Sequence, residues 1–381
     1  MADQELEEIA HTGGKVTFDV QVDAAGRVSY SVRWSHSRPT PAGVFAVYAI
    51  PQGIAVGDIR IAGMGVPWNP PPVPGSYPVL ISSDSTGMFG SKCPACGGYW
   101  RSPHGGYCCP YCAEPVKAKY LFLTEGQQRY VYEYCRILNG ALESGTPGEH
   151  VVDMDAVVDA LGTDYPKPPF YYAEERQQNL FKCSSCGATT DVLGTFAYCS
   201  ACGTRNDADE FTKIAQRVRE RIVAGEPPES CAKDVVASFD SVAGQYASEL
   251  VRRVPLIRAR KALVERGPYR NLSRVVDGFR EAFGIDITDG IGLDDVAFAT
   301  LMFHRRHVYE HKGGEADEKY IRESGDNVRL KQALRETKES AHRTVNVVSK
   351  LVANLHAGFH QIFPPNAEAV ARHATARRGG M

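Results

Sequence analysis

The 381-residue chain contains no apolar run near the roughly 18 residues that a membrane helix needs, which excludes a helical span. Its opening, MADQELEEIA, is acidic and lacks the basic-then-apolar order of a secretory leader. The chain is therefore expected in the cytoplasm, with no membrane partner. No charge of one sign dominates: 43 Lys and Arg against 45 Asp and Glu leave a net charge of −2. A global field that drives the molecule onto a polyanion is excluded, so any nucleic-acid contact has to come from a local patch. A disulfide framework is missing too. The cysteine count is odd, eleven, and eight of them fall in CxxC pairs. In a compartment that keeps thiols reduced, that is metal usage.

What is present begins with those pairs. CPACGGYWRSPHGGYCCPYC and CSSCGATTDVLGTFAYCSAC both read CxxC, twelve residues, CxxC, with a glycine after the second cysteine. Tyr107 and Tyr198 mark the returning strand of each. Four thiolates at about 2.3 Å fill the tetrahedral shell that zinc prefers, and each CxxC turn delivers two of them. The spacing assigns one ion to Cys93, Cys96, Cys109 and Cys112, and a second to Cys183, Cys186, Cys199 and Cys202. Redox CxxC pairs are the competing reading, and two copies with one spacing weigh against it. With four cysteine ligands no coordination position stays open for substrate, so both zinc ions are expected to be structural. Cys108 adjoins a ligand and competes with Cys109. The matched spacing favours Cys109, because Tyr198 occupies the position equivalent to Cys108. Cys135 and Cys231 read as ordinary semi-buried thiols.

The hydrophobic fraction of 43% and charged fraction of 23% are those of a globular protein, and the length fits two or three domains. Alternation in KVTFDVQVD and VSYSVRW, then the apolar GVFAVYAI, predict strands from Val16 to about Ala62. The proline-rich stretch 65–78 predicts an extended connector. Helical patterns occupy Gln127–Leu142 and Met154–Leu161, between breakers. From Asn206 the pattern is helix after helix. Phe211, Ile214, Val218 and Ile222 share a face closed by Gly225. Val235, Phe239, Val242, Tyr246 and Leu250 make the next stripe. Pro255 suits a first turn, and Gly284 closes a stripe from Leu272 to Phe283. The last helix starts near Thr337, with Ala341, Val345, Val348, Val352, Leu355, Phe359 and Ile362 forming a long seam. The fold class predicted is α+β and multidomain: a β-rich domain (1–90), ribbon one (91–118), a helical connector (119–170), ribbon two (171–206), an all-α bundle (207–364) and a disordered tail (365–381).

The segment RRHVYEHKGGEADEKYIRESGD, Arg305–Asp326, ends a predicted helix and enters a glycine-containing loop. Arg306 and His311 are separated by four residues, and His307 directly follows the arginine. Five positions make about 1.4 helical turns, so the pair is offset rather than stacked. Together these residues resemble the signature of the HEPN family of helical RNA-cleaving domains: an arginine, a polar residue, and a histidine four to six positions after the arginine. The resemblance covers Asp207 to Phe363 and extends to Gly313, Gly314, Asp317, Tyr320 and the Gly325–Asp326 pair. It implies a helical bundle with metal-independent endoribonuclease activity, in which the ribose 2′-hydroxyl attacks the adjacent phosphate to leave a 2′,3′-cyclic phosphate and a 5′-hydroxyl. It further implies a homodimer whose composite groove supplies two histidines, with the seam of the final helix as part of the contact. A toxin or antiviral-defence effector fits the family, its zinc-ribbon front half sensing a trigger or partner.

The residues make chemical sense of this on their own. An imidazole transfers protons near neutral pH, and a guanidinium offers a planar fork to phosphate oxygens. The bland alternative is that Arg306 and His311 cap helix-end carbonyls. His307 is either catalytic or a support, and His304 reads as a packing residue. Nine basic residues stand against two acidic ones between Val251 and Arg280. Among them Arg252, Arg253, Arg258, Arg260 and Lys261 are candidates for RNA phosphate contacts, or else a solvated helical face. The alternative function is a non-catalytic module in which the ribbons bind nucleic acid or protein and the bundle is a dimerisation scaffold.

Overall fold

The computed structural model describes residues 7–8, 15–35, 43–60, 68–83, 87–103, 106–153, 156, 172–173, 178–265 and 271–379. The chain forms two compact units, Met1–Gly203 with Asn366–Met381, and Thr204–Pro365. Among the described residues no helix is long and apolar enough to cross a membrane.

The first unit opens with a short pair, β1 (Glu7–Glu8) against β10 (Tyr172–Ala173). The alternation in β2 (Lys15–Val22) buries Val16, Phe18 and Val20. This strand lies between β3 (Val28–Ser35) and β9 (Gly148–Asp153), antiparallel to both. A second three-stranded sheet places β4 (Val44–Ala49) between β5 (Ala55–Ile59) and β6 (Tyr77–Ser82). Helix α1 (Glu125–Ser144) meets both sheets: Tyr130, Val131, Tyr134, Cys135 and Leu138 share one core with Val16, Phe18, Val47, Ala49, Val79 and Ile81. A capping box between Thr124 and Gln127 starts this helix, and left-handed Gly145 ends it. Residues 119–170, expected to be a helical connector, therefore supply the core helix of the β-rich domain and one of its strands. Only residue 156 and the short β10 are described beyond that strand and up to residue 177, so the helix expected at Met154–Leu161 lies outside the described residues.

Strands β7 (Phe89–Lys92), β8 (Tyr99–Ser102), β11 (Gln178–Lys182) and β12 (Thr189–Leu193) belong to the two cysteine ribbons. They form one sheet in the order β11-β12-β8-β7.

The second unit is helical: α2 (Asp207–Val223), α3 (Pro228–Arg253), α4 (Arg258–Glu265), α5 (Leu272–Phe283), α6 (Leu293–His311), α7 (Glu318–Ser324) and α8 (Lys338–Ile362). The stripes read from the sequence are its core. Phe211, Val218, Phe239, Tyr246, Leu250 and Phe279 are all buried. Gly225 and Gly284 take positive φ after α2 and α5, where a side chain would be strained. Pro255 falls before the start of α4 rather than in its first turn. Helix α8 runs along α3 and α2. Its seam residues Ala341, Val345, Val348, Val352, Leu355 and Phe359 are at most 2% exposed within one chain. The expectation that this seam serves a dimer contact is thus corrected: the bundle itself fills it.

The chain then returns to the first unit. Asn366 accepts from the N–H of Ala369 at 3.0 Å and starts α9 (Ala367–Gly379), whose Ala369 and Val370 pack on the ribbon core. The tail expected to be disordered is a docked helix.

Candidate metal centres and the arginine–histidine helix

In each ribbon the predicted ligands converge. The Sγ atoms of Cys93, Cys96, Cys109 and Cys112 all lie within 4.8 Å of one another, as do those of Cys183, Cys186, Cys199 and Cys202. Cys93–Cys112 and Cys96–Cys109 are 3.6 and 3.7 Å apart, and Cys183–Cys202 and Cys186–Cys199 are 3.7 and 3.6 Å apart. Four thiolates about 2.3 Å from a central ion would stand about 3.8 Å apart, so both tetrads fit one tetrahedral metal each.

The knuckles explain the glycines. Gly97, Gly187 and Gly203 donate their N–H groups to the carbonyls of Cys93, Cys183 and Cys199, each with φ between 70° and 78°. Ala113 takes the fourth such position at φ 60°. Burial pushes the Cys109 thiol upward and that of Cys112 to about 11. In the second tetrad, hydrogen bonds from Cys186, Cys199 and Cys202 hold Cys183 far below the usual thiol range. Thiols this crowded cannot all shed protons without a cation among them, and a bound dication removes that conflict.

The two ribbons are also one object, which sequence reasoning missed. Each ligand of the second lies 90 positions after its counterpart, from Cys93 to Cys183 as from Cys112 to Cys202. Lys92 faces Tyr99 in one hairpin, and Lys182 faces Thr189 in the other, which is the same register. Strands β8 and β12 meet antiparallel at Arg101 and Asp191, themselves equivalent positions. Cys108 N–H donates to Ser200 O at 3.1 Å, while its counterpart Tyr198 donates to Pro110 O at 2.8 Å. These reciprocal bonds define a local two-fold axis through the Arg101–Asp191 pair. A true symmetric dimer would set two identical residues against each other there. This chain sets opposite charges, with Arg101 Nε 2.8 Å from the Asp191 carboxylate and both side chains at most 9% exposed. Cys108 joins neither tetrad. Buried between the ribbons, its Sγ lies 3.6 Å from the Cys199 carbonyl.

The second candidate region is the end of α6, where two adjacent arginines differ completely. Arg305 donates to the carboxylates of Asp326 and Glu336 at 2.8 Å each. Tyr320 donates to Asp326, and Tyr309 donates to Glu336 at 2.7 Å. Burial opposes the charge on Arg305, but the two carboxylates outweigh it and raise its pKa. Burial and then Asp326 push Tyr320 up to about 12. Arg306, by contrast, is mostly buried (12% exposed) and has Glu310 as its one ion-pair partner among the described residues. Its Nε is 3.3 Å from that carboxylate, without the alignment of a hydrogen bond.

The loop string has structural work. Gly313 and Gly314 take positive φ after α6, and Gly314 N–H reaches the Val308 carbonyl at 3.2 Å. Asp317 caps α7 by accepting from Tyr320 N–H at 2.8 Å. Gly325 ends that helix in the left-handed region, which turns Asp326 onto Arg305.

The His307 and His311 rings are neighbours, with centroids 4.9 Å apart and planes tilted by 59°. His311 is exposed at the last residue of the helix. A cavity of about 350 Å³ beside them is lined by His304 and His307, with Phe303, Val308, Lys312 and residues of α7. Arg306 and His311 are not among its lining residues. His304 was read from the sequence as a packing residue. The signal that it belongs with His307 was its i, i+3 spacing on one helix face.

Of the basic candidates, Arg252 pairs with Glu249, Lys261 with Glu265, and Arg253 lies over the Phe363 ring. Arg258 and Arg260 are exposed and have no ion pair among the described residues. Comparison with protein-family models, curated proteins and solved structures found no match.

Proposed function

We propose that the chain is a metal-independent endoribonuclease of the HEPN type, with two structural zinc ions in its paired ribbons. The observation that supports it most is the concentration of Arg306, His307 and His311 in the last two turns of α6. There Arg306, its side chain 12% exposed, has a single loose ion pair with Glu310, while its neighbour Arg305 is held by two carboxylates. In this reading Arg306 presents its fork to the phosphate as negative charge builds, and an imidazole takes the 2′-hydroxyl proton or protonates the leaving oxygen. The zinc ions hold the ribbons folded and take no part in the chemistry, since four thiolates close their coordination. Two chains would combine their motifs through a face other than the α8 seam. The cytoplasm is the expected compartment, and the ribbon-bearing unit is the proposed sensor of a trigger.

The test is cleavage of a labelled RNA by purified protein with EDTA present for a short time. Products ending in 2′,3′-cyclic phosphate are expected, and His311→Ala is expected to slow the reaction by about 10²–10⁴. A requirement for magnesium, or equal cutting of a substrate with 2′-deoxyribose at the scissile position, would overturn the mechanism.

A second reading is a binding module. It is favoured by Leu180 and Leu193, which are 60% and 50% exposed on adjacent ribbon strands. A protein partner docking there is its expected outcome, with Leu180→Asp and Leu193→Asp weakening the complex.

A further inference from the structure

We infer that the second cysteine tetrad and helix α9 form a metal-dependent clasp: α9 docks on the two knuckles that the zinc ion holds together, and its docking slows the loss of that ion. The inference rests on the zinc assignment and is independent of the RNA-cleavage reading.

Helix α9 has little apolar surface of its own, and what it buries lies on the ribbon core. Ala369 and Val370 pack on a cluster that contains Cys183, Cys199 and Cys202, with Cys186 against its edge. The start of the helix is fixed to one knuckle. Asn366 N–H donates to the Cys202 carbonyl at 2.8 Å, and Asn366 also caps the helix by accepting from Ala369 N–H at 3.0 Å. Further along, α9 meets the other knuckle. The His373 ring lies against Gly187, so closely that a methyl group added to that glycine would collide with the imidazole. Gly187 also has φ 70° and donates its N–H to the Cys183 carbonyl at 2.9 Å, so a side chain is excluded there twice over. One short helix thus touches both turns, Cys183–Gly187 and Cys199–Gly203, whose tips four metal–thiolate bonds hold together.

The local two-fold axis supplies an internal comparison. The counterpart of Gly187 is Gly97, at φ 72°, and a methyl group there would meet nothing within 4 Å. Ala95, Cys96 and Gly97 are exposed, whereas Ser185, Cys186 and Gly187 are half-buried. The same turn stands open in the first ribbon and is covered by α9 in the second. The covered tetrad is also the one where the chain leaves and re-enters this unit, after Gly203 and at Asn366. The Asn366–Cys202 bond therefore closes the loop of chain that carries the helical unit. Coupling of this kind is reciprocal: the free energy that the ion lends to docking, docking lends to retention of the ion. Withdrawal of that ion frees α9 and opens the closure, which gives the ribbon-bearing unit a response to a chelating signal.

The test uses the full chain, its zinc content measured, with two readouts. By hydrogen–deuterium exchange, the α9 amides are expected to exchange at least about tenfold more slowly in the zinc-loaded chain than after chelation. In the reverse direction, Val370→Asp places a charge against the ribbon core without altering a ligand. It is expected to speed release of at least one zinc ion to a chromophoric chelator by at least about fivefold. His373→Ala, a milder change on the other knuckle, should act in the same direction. Unchanged release of both ions in Val370→Asp, once exchange shows α9 undocked, overturns the clasp. Slow α9 exchange after both ions have left overturns it too, and leaves the metal assignment standing. A chain that binds no zinc overturns the metal assignment and the clasp with it.

Discussion

Arg305 and Arg306 adjoin in sequence and show how little a residue type says without its neighbours. Arg305, Tyr320 and Asp326 form one side of a half-buried network completed by Glu336 and Tyr309, with Glu336 only 2% exposed. Removing the guanidinium would leave two carboxylates desolvated and unpaired. Arg305→Ala is therefore expected to destabilise the helical unit by about 3–5 kcal/mol, read as a lower urea midpoint. Arg306→Ala removes one loose ion pair together with the packing of a side chain only 12% exposed, so its cost, about 1–2 kcal/mol, should stay below that of Arg305→Ala. Equal losses in the two variants would show that the division of labour is wrong. Arg306→Lys supplies the functional counterpart. It keeps the charge but loses the planar fork, and RNA cleavage should fall while the urea midpoint stays. Gly325, Asp326 and Tyr320 entered the sequence reading as marks of a family. Their geometry gives them an architectural reason to be there, so those positions alone are weak witnesses to nuclease function.

Among the elements, the paired ribbons give the sharpest consequence. A single sheet with a buried ion pair on its local axis, and backbone bonds running both ways, ties the two cysteine tetrads together. Replacing Cys186 with serine should therefore disturb more than its own site. Metal analysis is expected to find fewer than one zinc per chain, or a remaining ion released to a chelator at least about tenfold faster. One zinc per chain with an unchanged release rate would show that the ribbons fold independently. Much of this region was legible in the sequence, because CxxC spacing fixes the ligands and a matched register places Cys109 ahead of Cys108. The edge pairing was not, since β8 and β12 are joined by one residue pair far apart in the chain. The helical stripes were legible because a 3.6-residue period exposes a buried face. Helix α1 was found but misjudged, as its role depends on sheets that close around it from both sides. Helix α9 was missed because AEAVARHATARRG offers little beyond Val370 and alanines to bury, so its order comes from the Asn366 cap and the ribbon it lies on.

At the scale of the whole molecule, the chain passes between its units twice, after Gly203 and after Pro365. Within the helical unit both passages are held by one imidazole. Arg205 N–H donates to His360 Nε2 at 3.2 Å, and His360 Nδ1 donates to the Phe363 carbonyl at 2.9 Å. This pattern requires the neutral ring with its proton on Nδ1. Burial lowers the His360 pKa to about 4, aided by His356 and Arg205 and opposed by the Phe363 carbonyl and Asp207. An unfolded histidine titrates near 6.5. The folded value is the lower one, so the unfolded chain binds the extra proton between those limits. The stabilisation is complete above about pH 6.5 and is lost as the pH falls toward about 4, an effect of about 3 kcal/mol. Asp207, whose carboxyl burial raises despite Arg205, acts with the opposite sign in acid. The wild-type profile alone is therefore ambiguous, and the informative quantity is its difference from His360→Gln. Glutamine can accept from Arg205 and donate to Phe363 without titrating. Melting temperatures recorded from pH 7.5 to 4 should fall faster for the wild type than for this variant, and the two curves should converge in acid. Parallel curves across that range would mean that protonation of His360 does not loosen the passages between the units.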